Sequence, residues 1–482
     1  MSEDLTIKYE AVIGLEVHAQ LQTRSKLFAG DAAAFGADPN THVSPITLGH
    51  PGTLPRMNKI AIEHAISMGL VCHCTIEKHN YFARKNYFYP DLPKGYQISQ
   101  HTTPICSGGF VRINTSAGQR DIQLTRIHME EDAGKSIHDA SAQDTYIDLN
   151  RAGTPLVEMV TEPCIHSAQE AFLFVSEVRR LVRWIGVCDG NMEEGSLRCD
   201  ANISIRLKGD KKLGTRVEVK NLNSIRNIKK AIEFEIDRLI QITEAGGTIL
   251  QQTRSFDANN DTTFSIRDKE DANDYRYFPD PDLAPFQLTQ QYIKDIEAAL
   301  PVLPAVLKNT WKSNYALSEY DVEQLCENKE EADFYAAWTK QTNHYKSAAN
   351  WIIGPIRAYL NENNSSYNSL LPYIPYLVEL LDLVASNQLN FSVASGKVFK
   401  AIMQQMQSPT EYAKSNNLLQ SNSSDEMEAW VDQVLLMHPE KIIEYKKGKK
   451  GLIGLFTGEV KKLSQGKADP KITMQLLEQK LK

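Results

Sequence analysis

A carboxylate and an imidazole two residues apart provide the first candidate chemistry. Glu16 and His18 lie in Val12 to Leu21, where apolar and polar residues alternate as in a half-buried β-strand. Residues two apart in a strand point to the same face, so both side chains leave one surface. A glutamate and a histidine can bind a hard cation such as Mg²⁺. Taken alone, the pair is a weak signal, because a glutamate and a histidine on a strand can simply lie on a polar surface.

A second acidic cluster is the run His128-Met129-Glu130-Glu131-Asp132. Glu130 and Glu131 face opposite ways in a regular strand, so at most one of them joins a given site unless a bulge intervenes. Two carboxylate clusters, each with a histidine, are typical of a site for metal-bound nucleotide phosphates. Phosphoryl transfer needs cations that neutralise charge and carboxylates that hold those cations.

The usual phosphate-binding loops do not occur in this sequence. Neither Gly-x4-Gly-Lys-Ser/Thr nor Gly-x-Gly-x-x-Gly is present, so an ATP site would use carboxylates and cationic side chains carried by strands. The cationic candidates are Arg84, Lys85, Lys94, Arg151, Arg198 and Lys220. No Gly-x-Ser-x-Gly occurs either, so the sequence does not indicate amide hydrolysis.

Two aperiodic segments mix aromatic residues, prolines and charges. They run from Arg84 to Tyr96 and from Asp274 to Asp282. Loops of this composition provide surfaces that bind substrates, although tyrosines also serve simply to pack a loop.

The elements that must position these residues are strands in the first part of the chain and helices later. Val12 to Leu21, Arg198 to Arg206 and Arg216 to Lys220 alternate as strands, and helices begin after Ser167 and after Ser224. This order predicts an α+β fold with a mainly antiparallel sheet, followed by helices. We predict domains over residues 1–290, 291–408 and 409–482.

Composition and charge restrict the class of protein. The apolar fraction of 42% and the charged fraction of 23% are those of a globular protein. We expect no membrane partner because no apolar run approaches about 18 residues. Seven cysteines, without Cys-x-x-Cys, predict reduced thiols and a cytoplasmic location, although Cys72-His73-Cys74 could contribute to a metal site.

The C-terminal segment is basic, whereas the chain as a whole is acidic. Residues 441–482 contain eleven lysines and four acidic residues, while the whole chain has a formal charge of −7. A basic tail on an acidic body indicates a polyanionic partner, or else the solvated face of a helical domain.

Seven segments in consistent order carry a resemblance that covers essentially the whole chain. They include Gly14 to His18, Arg84 to Gln100, Met129 to Lys135, Ile147 to Met159, Gly195 to Asn202, Glu218 to Ser224 and Tyr275 to Leu283. Together they resemble the B-subunit family of the aspartyl/glutamyl-tRNA(Asn/Gln) amidotransferases.

The resemblance implies a glutamine-synthetase-like cradle, an all-helical domain and a small helical tail domain that contacts tRNA. It implies a heterotrimer with a glutaminase A subunit and a small C subunit. The chain would phosphorylate, with ATP and Mg²⁺, the side-chain carboxylate of Glu on tRNA(Gln) or Asp on tRNA(Asn). Ammonia from the A subunit would then replace phosphate.

By matching positions, the resemblance implies Glu16, His18 and Glu131 as Mg²⁺ ligands, with Glu130 and Asp200 as nearby carboxylates. Lys85 would hold phosphate or the acceptor end, and Arg151, Arg198 and Lys220 are further candidates. All of these positions are present in the sequence.

The sequence departs from the family pattern at two places. Ser44-Pro45-Ile46-Thr47 stands where the family often has Cys-Pro-x-Cys, so we predict no zinc there. Asn273 stands where the family often has a histidine.

Two alternatives remain: a non-catalytic tRNA-binding scaffold, and a free-standing ligase acting on a small amino acid. The clustered carboxylates argue against the scaffold, and the basic tail argues against the free-standing ligase.

Overall fold

The computed structural model describes residues 8–137, 143–268, 274–420, 424–464 and 467–481. The chain divides into two compact units, Met1–Pro301 and Val302–Lys482. The first unit contains the strands of the described ranges, whereas the second consists of helices.

The strands follow in chain order. They are β1 (Tyr9–Gln20), β2 (Thr75–Ile76), β3 (His79–Asn80), β4 (Ala83–Asn86), β5 (Tyr96–Ser99), β6 (Cys106–Ser107), β7 (Phe110–Thr115), β8 (Gly118–Glu131), β9 (Lys135–Ile137), β10 (Tyr146–Asp148), β11 (Pro155–Thr161), β12 (Leu197–Leu207), β13 (Val217–Leu222), β14 (Gln252–Asp257), β15 (Thr262–Asp268), β16 (Phe278–Pro279) and β17 (Phe286–Gln287).

The helices are numbered separately. In the first unit they are α1 (Lys59–Val71), α2 (Ala168–Trp184), α3 (Ile225–Glu244) and α4 (Gln290–Ala299). In the second they are α5 (Pro304–Tyr315), α6 (Glu319–Leu325), α7 (Lys329–Thr339), α8 (Tyr345–Trp351), α9 (Arg357–Glu362), α10 (Ile374–Ala385), α11 (Phe391–Val393), α12 (Phe399–Gln405), α13 (Pro409–Ser415), α14 (Ser424–Met437), α15 (Pro439–Lys446), α16 (Leu452–Leu463) and α17 (Pro470–Lys480). Short 3₁₀ or π turns span Ile352–Ile356, Tyr367–Tyr373 and Ala394–Val398.

One large mixed sheet organises the first unit. Its main path is β15-β14-β13-β12-β1-β11-β8-β5-β4-β16, while β6 and β7 also pair with β8, and β2 pairs with β6. Neighbours along this path are antiparallel except β13 and β14, which are parallel. The central strand β1 therefore has paired neighbours on both sides.

The alternation of β1 separates a buried apolar face from a polar face. Ile13, Leu15 and Val17 are essentially inaccessible to solvent, whereas Glu16 and His18 are half-buried on the opposite face. Helix α2 contacts β1 and β7, and α3 contacts β12, so the helices cover the sheet while polar side chains remain on its other face.

Both predicted helices of this unit begin where the sequence indicates. The Ser167 hydroxyl accepts from the N–H of Glu170 (3.1 Å), and the Ser224 hydroxyl accepts from the N–H of Asn227 (3.1 Å). In a capping box, the Glu170 carboxylate would accept from the backbone N–H of Ser167. Here it accepts instead from the N–H of His166 (2.8 Å), so the second bond of the predicted capping box is replaced.

The second unit is held by helix packing and contains the basic segment. Val431 and Val434 of α14 pack with Tyr445, Phe456 and Leu477 in one apolar cluster. Lys446, Lys447, Lys449 and Lys450 are exposed beside it.

The expected mixture of strands and helices, with a helical C-terminal region, is confirmed. The likeness to glutamine synthetase and the domain limits at 290 and 408 stay predictions. Within the described ranges, no helix is both long and apolar enough to span a bilayer.

A buried ion pair between α3 and β14 provides a test of this packing. Glu235 is 0% exposed and accepts from Arg254 Nε at 3.0 Å. Replacing Glu235 with alanine leaves the Arg254 guanidinium buried without its counter-ion. We expect Glu235→Ala to lower the free energy of unfolding by about 3–5 kcal/mol in urea titrations.

The matched control lies two residues away on the same helix. Glu233 is exposed and pairs loosely with Lys229 (3.8 Å), so Glu233→Ala should change the same free energy by about 0.5 kcal/mol or less. Equal effects of the two substitutions would contradict a stabilising role of the buried pair.

Candidate active site

The polar face of β1 and its neighbours concentrates charged side chains. The antiparallel register places His18 between Glu158 of β11 and Arg198 of β12, and places Glu158 opposite His128 of β8. Two residues before His18 in β1, Glu16 lies opposite Asp200 of β12. Side chains opposite each other share a face of the sheet, so these residues form two adjacent rows.

The first row forms a cluster of two histidines and two glutamates. His18 Nε2 lies 3.4 Å from Glu158 Oε2 and 3.9 Å from Glu130 Oε1. His128 Nε2 lies 3.3 Å from Glu158 Oε2 and 3.8 Å from Glu130 Oε2. Ligand atoms of His18, Glu130 and Glu158 all lie within 4.8 Å of one another, so together they could hold one cation.

The electrostatics of this cluster couple the histidines to the glutamates. Burial lowers the pKa of His18, but the charges of Glu158 and Glu130 raise it more, to about 9. Burial raises the pKa of Glu158, but His18 and His128 hold it well below its ordinary value. His18 and Glu158 therefore stabilise each other's charged forms.

The second row forms a separate group of three carboxylates. Ligand oxygens of Glu16, Asp200 and Glu218 also lie within 4.8 Å of one another. Lys220 Nζ lies 3.0 Å from both Asp200 Oδ2 and Glu218 Oε1, and Asn202 Nδ2 donates to Glu16 Oε1 at 3.0 Å. Burial and the Glu158 charge raise the pKa of Glu16.

Asp132 holds the cationic side chains beside these groups. Its Oδ2 accepts from Gln20 Nε2 (2.7 Å) and Arg198 Nη2 (3.0 Å), and it lies 3.7 Å from Arg151 Nε. Burial raises the pKa of Asp132, but Arg198 and Arg151 lower it more, so that the net shift is downward. Arg198 Nε is buried and has no hydrogen-bond partner among the described residues.

Glu131 points away from both groups, as alternation in β8 predicts. Its carboxylate pairs with Lys94 and accepts from the N–H of Ile98 (2.9 Å). It lines a different, smaller cavity of about 210 Å³ with Lys26, Lys94 and Arg84. The structure therefore does not bring Glu131 together with Glu16 and His18.

Lys85 lies among aromatic rings of the two aperiodic segments. Its Nζ is 5.7 Å from the ring centroid of Tyr87 and 5.0 Å from that of Tyr275. Burial lowers the pKa of Lys85, but the charges of Glu130, Tyr277 and Glu158 together raise it more, so that the net shift is upward. The Lys85 ammonium thus interacts electrostatically with the Glu130 carboxylate.

A large open cleft borders these residues. It has a volume of about 940 Å³ and is lined by His18, Glu130, Arg151, Arg198, Asp200 and Lys220 among others. Exposed Phe35 and the ring of Tyr87 also lie on its wall. A cleft of this size is in the range that binds organic ligands, about 300–1,000 Å³.

Comparison with known protein families assigns both ends of the chain. Residues 11–294 match the model of the GatB/GatE catalytic domain, and residues 333–481 match that of the GatB domain. The chain belongs to the GatB family. Every residue of the two ligand groups lies within the match to the GatB/GatE catalytic domain.

Similar proteins match this GatB-family chain over nearly their whole length. Proteins of Geotalea daltonii and Persephonella marina are each 44% identical to it, covering 98% and 99% of this chain and 100% of each relative. One from Oleidesulfovibrio alaskensis is 45% identical, over 98% of this chain and 99% of the relative. All three are named as the B subunit of aspartyl/glutamyl-tRNA(Asn/Gln) amidotransferase. The resemblance described from the sequence is thus confirmed.

Most of the sequence-predicted residues of this GatB-family chain lie around one site. The cleft brings together His18, Glu130, Arg151, Arg198, Asp200 and Lys220, and Glu16 adjoins it through Asp200. Their roles in catalysis and metal binding stay predictions.

Two residues of the site, Glu158 and Glu218, were not singled out as candidates from the sequence. His128 and Asp132 were recognised as members of the second acidic cluster, but no role of their own was predicted for them. Glu158 had a usable signal, because it is the only charged residue in the apolar strand Pro155–Thr161. Glu218 had only its place on a predicted strand, since its importance comes from neighbours on other strands.

The two departures from the family pattern have different outcomes. Ser44 Oγ donates to Asp31 Oδ2 at 2.8 Å, and the Thr47 hydroxyl donates to the same oxygen, so these residues link their loop to Asp31. The absence of zinc there stays a prediction. Asn273 lies outside the described residues.

The raised pKa of His18 gives a pH test on the metal-free chain. The folded-state pKa is above the ordinary 6.5, so the charged His18–Glu158 pair stabilises the fold below about pH 6.5. That contribution is lost as pH rises through about 9. An NMR titration with labelled histidine should show the His18 midpoint near 9, shifted downward in Glu158→Gln.

The control substitution for this titration is Glu162→Gln. Glu162 is exposed and directly follows β11, the strand that carries Glu158. It should leave the His18 midpoint unchanged. A wild-type midpoint at or below 6.5 would contradict the proposed coupling.

Proposed function

We propose that this chain activates the side-chain carboxylate of a misacylated tRNA with ATP, so that ammonia can convert it to an amide. Membership of the GatB family implies tRNA-dependent amidotransferase activity, and relatives named as B subunits imply a complex with other subunits. The acceptors would be Glu on tRNA(Gln), Asp on tRNA(Asn), or both. The observation that carries the proposal is the pair of cation-ligating groups on one face of the sheet.

The donor atoms of both groups suit Mg²⁺. Each contributes mainly carboxylate oxygens, which are the ligands that hard cations prefer. The ammonium of Lys220 already lies between Asp200 and Glu218, so this position favours positive charge. We propose that His18, Glu130 and Glu158 hold one Mg²⁺, and that Glu16, Asp200 and Glu218 hold another. Bound Mg²⁺ would neutralise charge on the phosphates.

The proposed reaction has two balanced steps. An oxygen of the substrate carboxylate attacks the γ-phosphorus of ATP, and the bond to ADP breaks, which leaves an acyl phosphate. Ammonia then attacks the acyl carbon, inorganic phosphate leaves, and the nitrogen loses a proton. Arg198, held by Asp132, and Lys85 beside Glu130 would stabilise the negative charge that both steps move.

Partner subunits would supply the ammonia. The absence of an amidase serine motif from this sequence is consistent with a glutaminase A subunit that provides it, and with a small C subunit in the same complex. A docked tRNA end that covers the site would protect the acyl phosphate from water.

The basic segment of the second unit is a candidate contact for the tRNA backbone. Lys446 and Lys447 are exposed at the end of α15, outside the apolar cluster that holds this part of the unit together. Exposed lysines bind phosphates by releasing counterions, and this makes the affinity depend on salt.

We expect Glu16→Gln to abolish tRNA-dependent ATP hydrolysis by the reconstituted complex, because the second group loses one of its three carboxylates. Binding of tRNA should persist. The measurement is phosphate release with misacylated tRNA, correctly acylated tRNA or free glutamate as acceptor.

The matched control for Glu16 is on the same strand. Glu10 lies six residues before Glu16 and pairs with Arg206 (2.6 Å). Glu10→Gln should therefore keep full turnover. Full activity of Glu16→Gln would contradict the proposal that Glu16, Asp200 and Glu218 hold Mg²⁺. Hydrolysis with free glutamate would indicate a free-standing ligase, and tRNA binding without hydrolysis would indicate a scaffold.

Neutralising two tail lysines should weaken tRNA binding independently of chemistry. We expect the double substitution Lys446→Gln and Lys447→Gln to raise the Kd for tRNA. The slope of log K against log salt should become shallower, by roughly 0.7–0.9 for each phosphate that the protein no longer neutralises. The same substitutions at exposed Lys211 and Lys212 of the first unit serve as a control. Identical slopes for wild type and the Lys446/Lys447 variant would exclude these lysines from the interface.

A further inference from the structure

An exposed phenylalanine lies in the wall of the open cleft. Phe35 is 76% exposed, and it lines the same cleft of about 940 Å³ as His18, Glu130 and Asp200. The residues beside it in the wall are too small to cover its ring, and they are Ala33, Ala34, Gly36 and Ala37. A large apolar ring is therefore presented to solvent next to both ligand groups.

The loop that carries Phe35 is held at both ends. At its start, the N–H of Ala33 donates to the carbonyl oxygen of Arg24 (3.3 Å). At its end, Asn40 Nδ2 donates to the carbonyl oxygen of Ile147 (2.8 Å). A phenylalanine has only two side-chain torsions, so a ring on an anchored loop loses little entropy when a ligand binds to it.

A second aromatic ring in the cleft already has partners. The ring of Tyr87 lies 6.0 Å from that of Tyr89 and 6.0 Å from that of Tyr275, and Lys85 Nζ lies 5.7 Å from its centroid. The ring of Phe35, by contrast, remains mostly exposed. A single apolar residue on an open surface is ordinary, but a ring in the wall of a site can contact a flat ligand group.

The cleft lining is otherwise mixed in charge. Lys135 and Arg151 contribute positive charge, and Glu193 and Glu194 contribute negative charge. The lining is thus no uniformly positive surface for phosphates, and the group that suits Phe35 is neutral and planar. Bases of unpaired RNA are such groups, because each has a flat face that stacks on an aromatic ring.

We infer that Phe35 stacks on the 3′-terminal base of the misacylated tRNA and so positions the attached amino acid over the ligand groups. This rests on the proposed function, in which the carboxylate of that amino acid is activated in the cleft. The amino acid is esterified to the ribose of the terminal nucleotide. The base therefore lies within one nucleotide of the reacting carboxylate and enters the same cleft. In the described lining, Phe35 is the aromatic ring with an uncovered face.

A cycle that removes the ring and the base separately tests this contact. The complex with its partner subunits is titrated with uncharged tRNA, either complete or with a terminal nucleotide that lacks its base. The unsubstituted complex should bind the abasic tRNA at least about fivefold more weakly, which is the lower limit for one base–aromatic stack. Phe35→Ala should bind both tRNAs equally and with the lower affinity, whereas Phe35→Trp should keep the preference.

The matched control is Phe264→Ala. Phe264 is a 54% exposed phenylalanine of β15, outside the described lining of the cleft. This variant should keep the preference for the complete tRNA. In steady-state amidation, Phe35→Ala should raise the KM for misacylated tRNA by the same factor as the loss of affinity, and it should leave the KM for ATP unchanged.

The outcomes separate the inference from the proposed function. No tRNA-dependent ATP turnover by the unsubstituted complex would contradict the proposed function. The titration needs no ATP, so a base preference that Phe35→Ala abolishes would still support the contact. The same base preference in the unsubstituted complex and in Phe35→Ala would overturn the stacking. A rise in the KM for ATP alone, or dissociation of the complex by Phe35→Ala, would also overturn it, because the ring would then contact the nucleotide or a partner subunit.

Discussion

The central strand β1 carries charge on one face and apolar side chains on the other, and the rest of the first unit depends on this alternation. Leu15 and Val17 are buried under helices, so Glu16 and His18 must lie on the opposite face. Charges that are half-buried in a sheet are stable only if other charges compensate them. The neighbouring strands provide that compensation in two adjacent rows.

The two rows differ in which charged side chains they contain. In the row of His18, imidazoles and carboxylates neutralise one another, and Glu158 is shared by both histidines. In the row of Glu16, three carboxylates meet the ammonium of Lys220. The second row therefore has the greater excess of negative charge and the stronger electrostatic reason to attract a cation.

A second layer of contacts fixes the cationic side chains. Asp132 holds Arg198 through a charged hydrogen bond and lies close to Arg151, while the rings of Tyr87 and Tyr275 enclose Lys85. These cations are therefore oriented before any ligand binds, which reduces the reorganisation that charge transfer in the site requires. The cleft of about 940 Å³ is lined by several of these fixed cations.

The sequence by itself determined the strands, the pairing of Glu16 with His18 on one face, and the opposite orientation of Glu130 and Glu131. These follow from a period of two residues, which is a local property of the chain. The family also followed from the sequence, because ordered motifs cover the whole chain. The tertiary structure alone decided which carboxylates meet. Strand register joins Glu158 to His18, and the pairing of β12 with β13 brings Glu218 close to Asp200. Register depends on pairing between segments more than 100 residues apart, such as β1 with β11 and β12, and no local pattern encodes that pairing.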